Sequence, residues 1–142
     1  MKWLRLLASL CVAPMMYGLL CLPLLGWWMS LFPQKINELG GTHYLPLVIS
    51  IEVLQAIVLL VCGMAVAITG GNGQWQRVCL LVATLDMLVI GVMVQRQFWE
   101  ALPPWHHWIF FLLILVMMPL GGAATQHLRG KLGGASSPAG LN

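Results

Sequence analysis

The sequence predicts an all-α integral membrane protein: a bundle of four antiparallel transmembrane helices with both termini on the cytoplasmic side. Three observations predict it. The chain of 142 residues is 60% hydrophobic and only 8% charged, with a mean hydropathy of +0.88. A soluble domain carries about 25% charged residues because water must solvate its surface, and seven Lys and Arg with four Asp and Glu cannot coat one of this size. Second, four apolar runs reach the roughly 20 residues a helix needs to cross the hydrocarbon core. Third, the basic and tryptophan residues mark the ends of those runs.

The first span covers residues 6–31 and holds Pro14 and Pro23, which predict a kinked or tilted helix. Its basic start resembles a signal peptide, but the apolar run continues to Phe32 and no small-x-small site closes it. It is therefore expected to be a retained helix. The second span covers 45–69, after FPQKINELGGTH; the third covers 77–96, after GGNGQWQ; the fourth covers 106–125, after QRQFWEALPP. Connections this short place each helix antiparallel beside the next. The bundle is expected over residues 1–128. Residues 129–142, rich in Gly, Ser and Pro, read as a flexible cytoplasmic tail.

Orientation follows from the excess of Lys and Arg on cytoplasmic loops. Lys2, Arg5, Arg77, Arg129 and Lys131 share one side; Lys35 and Arg96 fall on the other. Trp3 and Trp75 then mark the inner boundary, while Trp27, Trp28, Trp99, Trp105 and Trp108 mark the outer one. The expected location is a bacterial-type inner membrane, and the expected partners are the lipid bilayer with a larger membrane protein or further copies of the chain. A net charge of +3, scattered along the chain, excludes a nucleic-acid partner.

Cys11, Cys21, Cys62 and Cys79 lie in or beside apolar runs without a CxxC pair, so they read as small apolar residues rather than redox thiols. No phosphate loop, nucleophile triad or metal motif is present, and no enzyme class follows.

The candidate polar pocket rests on Glu52, Gln55 and Asp86. Glu52 and Asp86 are the acids inside the spans, where a charge costs at least about 2.5–3.5 kcal/mol. At 1.5 Å per residue they lie about 10 and 15 Å below the outer helix ends, close enough to meet directly or through a water. Gln55 shares the face of Glu52 one turn along. Two readings are open: a proton-titrating or ligand-binding site in the outer half of the bundle, or a hydrogen bond that holds two helices in register. His43, His106 and His107 form an outer-interface cluster. His106 and His107 diverge by about 100° on a helix, so the three are expected to meet water rather than a metal. Gly63 with Ala67, and Gly121 to Ala124, are small residues that permit close helix approach.

The stretch ISIEVLQAIVLLVCGMAVAI, with Glu52 near its start and Gly63 beyond, resembles the second helix of DoxX-like membrane proteins. The closing QFWEALPPWHHWIFFLLILVMMPLGG is similar to that family's aromatic loop and last helix. Gly26 and Lys35 stand too far apart to match its Gly-x-x-Lys. The resemblance implies a four-span accessory or quinone-associated subunit of a larger complex, with Glu52 at a family position and a quinone as the candidate cofactor. A small proton-coupled transporter or channel using Glu52 and Asp86 is the alternative, and a purely structural assembly subunit the third.

Overall fold

The computed structural model describes residues 1–38 and 40–135. The described residues are all-helical: α1 spans Lys2–Ser30, α2 Leu45–Gly70, α3 Gln74–Gln97 and α4 Pro104–Ala135, with a 3-10 turn over Pro33–Lys35. All four are long and apolar enough to cross a membrane. α1 runs unbroken through Pro14 and Pro23. The one clear departure from the expected boundaries is α4, which runs on to Ala135 rather than yielding to a tail at residue 129. Extending an anchored helix adds a hydrogen bond per residue without a new nucleus, and Arg129 is itself tied to the α2–α3 turn. Residues 136–142 of the expected tail lie outside the described residues.

Local sequence explains the breaks. α2 starts behind an extended Tyr44, with Pro46 in its first turn, where a missing N–H costs nothing. It stops at Gly71, whose φ of +85° suits a residue without a Cβ.

α2 makes its most extensive contact with α4. A Cβ on Gly63 would strike the Met118 carbonyl, and one on Gly121 the Leu60 carbonyl. The two glycines thus let the backbones touch. Around that crossing, Leu59, Val66, Ala83, Met87, Phe110, Ile114 and Met118 form the core. α1 lies to the side against α2 and α3 and buries only Ser9, Ala13 and Cys21.

Polar contacts define the two ends. At one end Trp28 Nε1–H donates to Ser50 Oγ at 2.7 Å. There the 31–44 connection folds over the bundle, Asn37 accepting from the Gly41 N–H at 2.7 Å and Thr42 N–H donating to the Ala101 carbonyl at 2.8 Å. Gly41 has no room for a Cβ beside that carbonyl. At the other end Trp75 Nε1–H donates to the Lys2 carbonyl at 3.1 Å, and Ser9 and Thr69 share a hydrogen bond of 3.3 Å. Interhelical hydrogen bonds in membrane bundles contribute modestly, so Trp28→Phe should lower stability by about 0.6 kcal/mol. Unfolding in mixed micelles measures it, and an unchanged midpoint would exclude a contribution from that bond.

Candidate functional site

The inward face of α2 carries Leu47, Val48, Ile51, Glu52, Gln55, Val58, Leu59 and Cys62, a spacing of three and four that a helix turns to one side. Glu52 and Gln55 therefore enter the bundle together, 7% and 4% exposed. On α4 the same rule aligns His106, Phe110, Ile114 and Met118, all buried. Where these stripes meet at the covered end, His106 Nδ1 lies 2.6 Å from Glu52 Oε1.

His107 turns toward α3, and its Nδ1–H donates to the Gln95 side-chain oxygen at 2.5 Å. Its ring stacks on Trp99, with centroids 4.5 Å apart and planes 10° from parallel. His106 and His107 meet edge-on, 5.4 Å between centroids. A buried polar layer thus joins α2, α4 and α3 in that order, through Glu52, His106, His107 and Gln95.

Beside this layer lies a cavity of about 180 Å³. Its polar lining is Tyr17, Gln55, Gln95 and His106; Leu22, Leu25, Ile51 and Phe98 supply apolar walls. Two of its lining residues, Leu22 on α1 and Phe98 just beyond α3, are exposed. Glu52 stands behind His106 and does not line it. The larger groove outside α1 and α2, about 530 Å³, is walled by Trp27, Trp28, Ile49 and Val53, and its one hydroxyl, Ser50, is already engaged by Trp28. What it offers a ligand is mainly apolar contact.

Hydrogen bonding in the polar layer is incomplete. The Glu52–His106 contact is short but poorly aligned, and Glu52 Oε1, Glu52 Oε2, His106 Nδ1 and Gln55 Oε1 are buried without a well-formed hydrogen bond. An unsatisfied buried acceptor costs about 1–3 kcal/mol, and such groups call for a partner. A histidine with one nitrogen on a carboxylate and its ring against a cavity is also arranged to accept or deliver a proton there.

The expected residues divide between this site and other surroundings. Glu52 and Gln55 belong to it. Asp86 is half-buried and lines none of the cavities described, while the close partner of Glu52 is His106. Histidine takes the place expected of the second acid. Burial also corrects the expected water-facing cluster: His106 and His107 are 1% and 0% exposed, because the 31–44 connection roofs that end, whereas His43 is exposed on the connection itself. Among the described residues no three His, Cys, Asp or Glu side chains converge on a metal position. Tyr17 and Gln95 were not singled out from sequence, although Gln95 continues the Met87 and Gly91 stripe of α3 at intervals of four.

Compared with known protein families, curated proteins and solved structures, the chain matches none.

Proposed function

We propose that this protein is a small inner-membrane subunit that holds one ring-sized, largely apolar molecule with polar substituents, of which a quinone or quinol headgroup is the best fit. Unsatisfied Gln55 Oε1 in the lining of the 180 Å³ cavity carries this reading. A dry cavity of about 150 Å³ accepts a benzene ring, so this one suits a single substituted ring. Gln55 would accept from a ligand hydroxyl, and His106 backed by Glu52 would exchange a proton with a ligand oxygen. The exposed apolar lining residues Leu22 and Phe98 suit a molecule arriving from lipid.

In the same reading the helices alternate in direction, with both termini cytoplasmic. Ser9 with Thr69 and Trp28 with Ser50 support opposite senses for α1 and α2. Lys2, Arg5, Arg77, Arg129 and Lys131 at the terminal end support the cytoplasmic assignment. Four apolar spans without a catalytic motif suit an accessory of the DoxX-like kind, working beside a larger redox partner. A transporter that loads protons on both Glu52 and Asp86 is less favoured, because Asp86 does not reach the cavity.

A short-tailed benzoquinone and, separately, its hydroquinone kept reduced, each titrated into the purified full-length protein and followed by quenching of tryptophan fluorescence, test the reading. Gln55→Leu, which keeps bulk and removes the acceptor, should weaken binding of the reduced form about tenfold, while Asp86→Asn leaves it unchanged. Absence of quenching, or equal affinity in Gln55→Leu, would contradict it.

A further inference from the structure

The opposite end of the bundle holds a second polar cavity, about 420 Å³, lined by Asn72, Gly73, Gln76, Arg77, Gln126 and Arg129. Its chemistry is that of an anion site. Gln76 is 2% exposed; its side-chain oxygen accepts from Gln126 Nε2 at 3.4 Å, but its own Nε2 donor is buried with no partner. Arg77 lies one residue on and is exposed. Both sit in the first turn of α3, which begins at Gly73 with no side chain capping it. The amides of that turn have no intrahelical acceptor, and the helix dipole adds positive potential where they point.

Arg129 shapes the rim. It donates to the Gly71 carbonyl and to Asn72 Oδ1, each at 2.7 Å, which closes the exposed end of α2 and fixes a guanidinium beside the cavity. Arg5 presses on Gly71 from α1, where a Cβ would otherwise sit. Three arginines thus surround one turn. Among the described residues no acid answers them: Glu38 and Glu100 belong to the connections at the far end, Glu52 lies in the far half of α2, and Asp86 lies midway along α3.

We infer that this cavity binds a phosphate-bearing anion, held by Gln76 Nε2, the Arg77 guanidinium and the first-turn amides of α3, with Arg129 supplying fixed positive charge. A phosphate offers several strong acceptor oxygens to such donors, and helix N-termini are ready anion sites. The end of a membrane-spanning bundle is where anionic lipid headgroups lie against basic side chains, so a phospholipid phosphate and a soluble phosphate are its two sources. This inference is independent of the ring-binding cavity.

The test uses full-length protein in dodecyl maltoside micelles, which carry no phosphate, with thermal unfolding read on adding phosphatidylglycerol to the micelles or inorganic phosphate to the buffer. Stabilisation by the lipid alone identifies a headgroup; stabilisation by inorganic phosphate identifies a soluble anion; either supports the site. Arg77→Gln and Gln76→Leu should each weaken the stabilising anion about tenfold. Lys131→Gln, which removes an equal charge outside the cavity, should not. Where Gln76→Leu does not fold, the contrast between Arg77→Gln and Lys131→Gln decides. No stabilisation by either anion, or equal losses in Arg77→Gln and Lys131→Gln, would overturn the inference, since general surface charge would then suffice.

Discussion

Gly63→Leu should destabilise the protein by about 3 kcal/mol or more, the upper range for overpacking a closed interior. The Gly63 Cα faces the Met118 carbonyl, and Gly121 faces the Leu60 carbonyl in return, so the obstruction is backbone and cannot rotate away. The helices must separate or slide. Either movement has a remote consequence. His106 lies twelve residues from Met118 along α4, about 18 Å, and the 2.6 Å approach to Glu52 depends on the register set at the glycines. Unfolding in mixed micelles should show the loss, and any folded fraction should bind a ring-sized ligand weakly. Gly18→Leu is the control, because a Cβ there meets nothing. Equal midpoints for Gly63→Leu and Gly18→Leu would remove the close crossing.

The second large effect is a coupling. Glu52→Leu alone leaves His106 Nδ1 facing an apolar side chain in a buried site, and His106→Phe alone leaves the carboxylate without its neighbour. Each should cost about 3 kcal/mol, the low end for breaking a buried pair. The double variant removes both polar groups and should cost about 4 kcal/mol rather than the roughly 6 kcal/mol of additive losses, because it leaves neither group of the buried pair unpartnered. Residues in contact couple by about 0.5–3 kcal/mol, so a double-mutant cycle on unfolding should return an interaction of about 2 kcal/mol. Additive losses would place the two side chains apart. A double variant that is stable yet no longer binds a quinol would separate the function of the pair from its structural role.

Much of the scaffold was legible in the sequence because lipid imposes a coarse rule. Runs of about 20 apolar residues and glycines at Gly71 and Gly73 locate α2 and α3 to within a few residues, and Gly63 and Gly121 announced a close approach. The candidate site was legible only in half. Depth along a helix follows from counting, and it correctly put Glu52 in the half of α2 beneath the connections. Azimuth does not follow from depth. The buried stripe of α3 runs through Cys79, Ala83, Met87 and Gly91, and Asp86 sits about 100° from Met87, so a suitable depth did not bring it to Glu52. His106 shows the converse. Its place in the first turn of α4 suggested contact with water, but it heads the stripe of Phe110, Ile114 and Met118, and that spacing was a readable sign of burial. What the sequence could not show is the roof: Thr42 bonded to Ala101 and Gly41 pressed beneath it join segments about sixty positions apart.

The pairing of α2 with α4 through Glu52 and His106 is most directly tested by nitrogen NMR of the protein labelled with ¹⁵N-histidine in nanodiscs. Glu52→Gln should move the His106 Nδ1 resonance strongly, while Asp86→Asn leaves it in place. A His106 signal that follows Asp86→Asn and ignores Glu52→Gln would contradict the arrangement and the pocket built on it.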